Sequence, residues 1–426
     1  MVLLINRGYQ MKILWLCNVI LPIISKHLSL PVSNAGGWLD GLSEELIKTN
    51  NIDFYVCFPN NEKKSEISGS FNNISYFGFS QSNNLSNQFV KILEDYNPDI
   101  IHIFGTEYKH TFEMVNASKH LNLLNKTVIS IQGLVSYYAK HYYADLPFSV
   151  IYSCTLRSLR LKNNIARGKH IFEKKGYYEI ESIRNSKNII GRTDWDYACA
   201  TQINPNIQYF FCNETLRSDF YSGKWTYQNC QKHSIFISQA YYPIKGFHKF
   251  IETAAILKKE YPDLHIYTTG SKYEMRPIYM SFHNMPYQNY LAKLIKKYNL
   301  ENSITFLGSL SAKEMKKYFL KSNVFVLPSI IENSPNSLGE AMLLGVPCVS
   351  SDVGGVKNML VHSQEGFIYP YNEPYVAAYY IKKIFDNPSL ASNLSNAAQT
   401  HALITHSQKI NNDTLLNIYN KISKID

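Results

Sequence analysis

Residues 324–345 read VFVLPSIIENSPNSLGEAMLLG. The run Val324 to Leu327 is apolar and β-branched enough for a buried strand, and Leu338, Ala341, Met342 and Gly345 then recur at helical spacing. Between them, Ser334 suits an N-cap and Pro335 the first helical position, where a missing N–H costs nothing. A helix entered this way points unpaired N–H groups, and roughly half a unit of positive charge, at whatever lies before it. A diphosphate or an array of sugar hydroxyls fits such a place. Two carboxylates flank it, Glu332 in the loop and Glu340 inside the helix. On its own the pair is equally compatible with a capped strand-to-helix unit that carries incidental acids.

The surroundings add more. The stretch ENSPNSLGEAMLLGVPCVSSDVGG, residues 332–355, resembles the Glu-x7-Glu signature loop and helix of the retaining glycosyltransferases of family 4, followed by their next strand and Gly-Gly turn. Upstream, SIFISQAYYPIKGFHKFIETAAIL, residues 234–257, resembles the strand, Lys-Gly loop and helix that open that family's donor domain. The likeness runs from about residue 234 to residue 370. It implies an α/β protein of the GT-B fold, with two Rossmann-like domains facing each other across a deep cleft. It also implies a hexosyltransferase that moves a sugar from a nucleotide-sugar to an acceptor hydroxyl with retention, in surface polysaccharide or glycolipid synthesis.

By the same resemblance Lys245 meets the donor diphosphate, Gly246 allows close backbone approach, and Glu340 takes the ribose hydroxyls. Glu332 holds the transferring sugar, helped by groups of Asn333, Ser334, Asn336, Ser337 and Leu338. Gly37 borders the diphosphate, and the turn at Leu310 sits beside the base. Glu332 and Lys245 are the expected catalytic residues, with no metal and no cofactor. The family's arginine about five residues before the lysine is absent; Ser238-Gln239-Ala240 stands there.

A chain of 426 residues is long enough for two cored domains, and 45% apolar with 18% charged residues is ordinary for a globular protein. Seven cysteines, odd in number and without Cys-x-x-Cys spacing, suggest reduced thiols in a cytosol. No run reaches the ~20 apolar residues that span a bilayer. Ile13 to Ile24 reads as a first strand and its continuation rather than a signal core, because a Gly-Gly loop and a helix follow. The net charge of +10 points to an anionic partner, and no nucleic-acid-binding motif accompanies it.

The expected domains are 1–222, on the acceptor side, and 223–405, on the donor side, with 213–232 as linker and a last helix at about 406–426 returning to the first domain. In the first half, strands are expected at Ile13–Cys17, Phe54–Phe58, Ile100–Phe104, Val128–Ile131 and Asn188–Ile190. Gly36 and Gly37 open a helix after the first strand. Glu107 and His110 follow the strand at 100–104, where ligands of open α/β sheets bind; Thr106 capping a helix is the competing reading. Gln132 stands where many family members carry a histidine. Arg192 completes the acceptor-side candidates. Asp194-Trp195-Asp196 reads as first-turn acids behind an N-cap at Thr193 rather than a metal motif.

Residues 148–175 are basic and amphipathic. They suit an anionic lipid surface, and equally a helical cover with a solvated cationic face. The expected setting is cytoplasmic, on the inner face of the membrane, with a glycan or lipid-linked glycan as acceptor. A GT-B-fold sugar-nucleotide epimerase, needing no acceptor, and a silent nucleotide-sugar binder are the alternatives.

Overall fold

The computed structural model of the protein describes residues 10–31, 37–49, 51–60, 67–80, 84–270 and 282–424. Among the described residues fourteen strands form two sheets, numbered in chain order. β1 (Met11–Leu16), β2 (Ile52–Pro59), β3 (Ile67–Phe71), β4 (Ile74–Phe79), β5 (Ile100–Phe104), β6 (Thr127–Ser130), β7 (Asn188–Gly191) and β8 (Gln208–Phe211) make the first. β9 (Gln231–Ile237), β10 (His265–Thr268), β11 (Ile304–Phe306), β12 (Ser322–Leu327), β13 (Cys348–Ser351) and β14 (Gly366–Tyr369) make the second.

The first sheet runs β3-β4-β2-β1-β5-β6-β7-β8, parallel except for β3 against β4. The second runs β11-β10-β9-β12-β13-β14 and is parallel throughout. Parallel strands need crossovers that cover both faces, so their central members are buried on both sides. β5, β6, β7, β12, β13 and β14 are buried along their whole length. That is why those segments show no alternation of apolar and polar residues facing two environments, as in IIHIF of β5 and VFVL of β12. The helix Leu85–Tyr96 shows how one flank is covered: Leu85, Phe89 and Leu93 recur every four residues and are buried. Asn97 then ends it in the left-handed conformation that asparagine tolerates well.

The chain divides into two compact units, but not at one point. The first comprises residues 1–134, 175–215 and 406–426; the second comprises 135–174 and 216–405. Sequence reading runs the first domain continuously to 222. In the fold, residues 135–174 group with the second unit because Leu146, Ile151 and Ile165 are buried in its core. Polar ties add to this: His248 Nε2 meets the Ala144 carbonyl at 2.8 Å, and Thr155 Oγ1 donates to the Asn284 carbonyl at 2.6 Å. The helix Gln408–Ile422 belongs to the first unit and gives Leu415, Ile418, Tyr419 and Ile422 to its core. The expected linker is ordered as well, with Phe220 and Trp225 buried in the second core.

A polar chain crosses the apolar centre of the first unit. Trp15 Nε1 donates to the Tyr419 hydroxyl at 2.9 Å, which meets His102 Nδ1 at 2.6 Å, and His102 Nε2 meets Ser130 Oγ at 2.7 Å. Burial lowers the His102 pKa from an ordinary 6.5 to about 3, so this imidazole is neutral in the fold. The contribution is complete above pH 6.5 and is lost as pH falls from there towards 3, where the unfolded chain binds a proton that the folded one does not.

Two outcomes follow. Tyr419→Phe leaves Trp15 and His102 without their shared partner and lowers unfolding free energy by ~1–3 kcal/mol in urea denaturation. In His102→Gln, the fall of stability between pH 6 and 4 is flatter than in wild type by up to about 1.4 kcal/mol per pH unit. An unchanged slope means that His102 is not neutral in the fold.

Candidate active site

In the second unit the chain leaves β9, makes a single turn at Pro243–Lys245, and enters the helix Phe247–Glu260 through Gly246. Gly246 has φ +69°, and a Cβ there would lie 1.7 Å from the Pro328 carbonyl oxygen. A glycine is therefore required, and its absence of side chain lets the turn lie against the segment after β12. The Ile330 N–H donates to the Ile244 carbonyl at 2.8 Å and fastens the two together.

This approach brings Lys245 to Glu332. Lys245 Nζ lies 2.5 Å from Glu332 Oε1, which also accepts from Ser329 Oγ at 2.7 Å. Ser351 at the end of β13 donates in turn to the Ser329 carbonyl at 2.6 Å. Burial works against the lysine charge, but the Glu332 carboxylate outweighs it and holds the ammonium above the ordinary lysine value. The lysine is charged at any pH at which the protein would work. Tyr242 places its ring 5.7 Å from the ammonium, and burial pushes its phenol up to about 12. The Tyr138 hydroxyl is hydrogen-bonded to the Asn333 backbone beside Glu332 and Lys245, and burial raises it too.

The backbone of Glu332 is held from the other side. Gly354 has φ +51°, and a Cβ there would lie 1.7 Å from the Glu332 carbonyl oxygen, which accepts from the Gly355 N–H at 3.2 Å. This gives the Gly-Gly turn a steric reason. It is the surface on which the Glu332 loop rests.

The helix that follows is Asn336–Leu343, capped by Pro335. The structure moves the start one residue beyond the predicted place. Ser334 is not the N-cap; its hydroxyl meets Met359 Sδ at 3.5 Å, and no side chain caps the helix. Pro335 is extended, at ψ 113°, so it serves as the cap. The N–H groups of Asn336 and Ser337 thus lie in the first turn, without intrahelical acceptors. Leu338 and Asn333 are buried.

Glu340 is 3% exposed and lies apart from the Lys245 pair. Its partner is Arg217, which sequence reading passed over as linker. Arg217 Nε donates to Oε1 at 2.7 Å and a terminal nitrogen donates to Oε2 at 2.8 Å. Burial raises the Glu340 carboxyl, with Arg217 pulling against it. Leu310 sits after β11, in the turn opened by Gly308 at φ +75° and closed by the Ser311 cap of the helix Ala312–Lys321.

The acceptor-side candidates lie in the first unit. Glu107 and His110 flank Tyr108 after β5, and Tyr108 caps the helix Lys109–His120. Thr106 does not cap it; its hydroxyl donates to Glu179 Oε2 at 3.0 Å. His110 stacks on Tyr108 at 4.8 Å, is 2% exposed, and neither ring nitrogen has a partner among the described residues. Burial lowers it to about 3 and raises the Glu107 carboxyl. Asn18 donates to the Tyr108 hydroxyl at 3.0 Å and Lys175 lies over its ring. Arg192 is turned inwards: it donates to the carbonyls of Ile131 (3.0 Å) and Gln132 (2.9 Å) and pairs with Glu214. The Gln132 backbone is thus fixed by Arg192. A cavity of about 30 Å³ beside them has room for one water.

Thr193 and Asp196 form a capping box, so those aspartates serve the helix Asp194–Ile203 as expected. Among the described residues no group of three or more His, Cys, Asp or Glu could hold a metal ion, and no helix is long and apolar enough to cross a membrane. Gly37 begins the helix Gly37–Lys48, and Gly36 lies outside the described residues.

Two largely parallel Rossmann-like sheets make up the GT-B fold, and the solved structures agree. Sucrose-phosphate synthase from Thermosynechococcus elongatus superposes with a TM-score of 0.67 at 14% identity, over 97% of this chain and 99% of that one. HepE from Anabaena, in complex with UDP-glucose, superposes with 0.65 at 17% identity over 97% and 100%. At the level of sequence, residues 226–401 match the family described as glycosyl transferases group 1. The putative colanic acid biosynthesis glycosyltransferase WcaL of Salmonella typhimurium is 28% identical over 175 residues, 39% of this chain and 40% of that one. The matched segment spans about 40% of the length of such curated relatives. The family match lies within the second unit, residues 216–405.

The Gly-Gly turn can be tested by itself. Gly354→Ala forces a left-handed side chain into the Glu332 carbonyl and lowers unfolding free energy by ~2 kcal/mol or more in urea denaturation. A midpoint equal to wild type means that the turn does not hold the loop.

Proposed function

We propose that the protein is a retaining family 4 glycosyltransferase that moves a hexose from a nucleotide-sugar to an acceptor hydroxyl in surface polysaccharide or glycolipid synthesis. The observation that carries this reading is the Lys245–Glu332 pair, held beside an uncapped helix start by two glycines with positive φ. A fixed cation and unpaired N–H groups are what a departing diphosphate requires, and such fixed charge supplies much of catalysis. HepE's complex with UDP-glucose makes a UDP-sugar the first donor to try, and WcaL's name points to polysaccharide.

In this mechanism Glu332 holds the hydroxyls of the transferring sugar and Glu340 those of the ribose. Lys245 and the N–H groups of Asn336 and Ser337 receive the charge on the leaving phosphate. The bond from the anomeric carbon to that phosphate breaks, and the acceptor oxygen bonds on the same face. The acceptor's proton passes to the leaving phosphate oxygen. Retention through a covalent intermediate would need a carboxylate about 5 Å from its partner. Glu332 has Lys245 and Ser329 around it instead. No metal and no cofactor enters the scheme. On the acceptor side, Glu107 and His110 follow β5 and the backbone fixed by Arg192 at Gln132 follows β6.

Residues 146–172 contain five Lys and Arg and no Asp or Glu. Phe148, Leu156, Leu159 and Leu161 are exposed among them, at 56–78%. A cationic surface with exposed apolar side chains suits an anionic membrane face, where each basic residue contributes ~1 kcal/mol. A lipid-linked glycan acceptor would be met there, on the cytoplasmic leaflet.

The reading is tested with a panel of UDP-, GDP-, ADP- and dTDP-sugars, scored for slow hydrolysis without acceptor. One donor releases its nucleotide, and Lys245→Met slows the release ~10²-fold or more. Release from none, with no nucleotide bound, refutes the reading. In flotation assays the protein rises with vesicles containing 30% phosphatidylglycerol and not with pure phosphatidylcholine, and Arg157→Glu/Arg160→Glu abolishes the difference. Equal flotation with both compositions counts against an electrostatic docking surface.

A further inference from the structure

Arg217 stands where the chain enters the second unit, ahead of the turn Ser218–Tyr221. Its guanidinium lies 4.8 Å from the centre of the Phe220 ring and 3.6 Å from Met315 Sδ, so its position is fixed by packing as well as by charge. The fork to Glu340 is bidentate, at 2.7 and 2.8 Å. The loop 238–244 contributes no cation before Lys245.

A carboxylate offers about four lone-pair sites, two on each oxygen. Arg217 takes one on each oxygen and leaves one on each, the arrangement that two neighbouring hydroxyls would need. We propose that Arg217 is a positioning residue that holds Glu340 as a carboxylate and turns its two remaining lone pairs towards the vicinal hydroxyls of the donor's ribose. This rests on the reading of Glu340 as the ribose-binding carboxylate.

The charged and titratable groups around Glu340 are few. Arg217, Asp219 and Tyr221 come from the segment 217–221. Of the other elements packed on its helix, β13 carries Cys348, β12 has none, and the helix Pro388–Thr405 carries His401, which is paired with Glu365 at 2.8 Å. Asp219 and burial both favour the neutral acid, and Arg217 is the group that opposes them. Without Arg217 the carboxyl takes a proton nearer to neutrality. It then donates on one side where it should accept, and one ribose hydroxyl loses its partner.

The test is calorimetric binding of UDP, GDP and ADP, and of the 2′-deoxy form of whichever binds best, between pH 5 and 8. Wild type prefers the ribonucleotide about 10-fold or more, the cost of one unmade hydrogen bond to a charged group. Arg217→Gln weakens binding by about 10- to 100-fold at pH 7, moves the acid limb of the binding profile upwards by ~1–3 units, and erases the preference for ribose. Arg217→Lys keeps a point charge but not the fork. Its acid limb stays near that of wild type while the ribose preference falls several-fold, so the idea is decided even where Arg217→Gln does not fold. Variants with wild-type affinity, preference and pH limb overturn the proposal, as does tighter binding, which would make the pair a lock. Failure of wild type to bind any of the three nucleotides removes the donor-site reading itself. Binding by wild type with indifferent Arg217 variants removes this inference alone.

Discussion

Lys245 and Glu332 are 87 residues apart in the chain, and the second unit is built so that they touch. Two carbonyl oxygens come so close to neighbouring backbone that no side chain fits, and glycines at 246 and 354 occupy both places. Between these contacts the segment 328–335 has little freedom. An exposed lysine-glutamate pair contributes almost nothing to stability. This one is largely buried and shares its carboxylate with Ser329, so removing either partner leaves a costly charge behind. The same arrangement holds a charged ammonium against the loop that leads into the helix Asn336–Leu343.

The two units use charge differently. In the second, Lys245 and Arg217 each meet a carboxylate and keep 16% and 22% of their side-chain surface exposed. In the first, Arg192 is directed into the protein, where it fixes the backbone at residues 131–132. Burial lowers the His110 imidazole to about 3 and pushes the Glu107 carboxyl up.

Much of this was legible in the sequence, for local reasons. The buried strands read as apolar runs, and β5 runs from Ile100 to Phe104, as its composition predicts. The Thr193 capping box and the last helix, with Ser407 as its cap, follow from short-range chemistry. Other features depend on contacts that sequence spacing does not encode. The hairpin of β3 and β4 was missed because β3 is largely exposed and polar, with little apolar signal. The start of the helix at Asn336 turned on the backbone angle of Pro335, not on the capping preference of Ser334. Residues 135–174 pack by tertiary contact with the second unit. Arg217, alone in a polar stretch and 123 residues from Glu340, left no motif at all. The part of the candidate site that was visible is the part built within one strand-loop-helix.

In the proposed function this loop and this turn are where a nucleotide-sugar binds. Hydrogen-deuterium exchange with and without a saturating bound donor measures that directly. Slower exchange is expected in peptides covering residues 242–249 and 329–341, with smaller changes across β10 and β14. Saturating binding with unchanged exchange in both segments, and protection elsewhere, would contradict it.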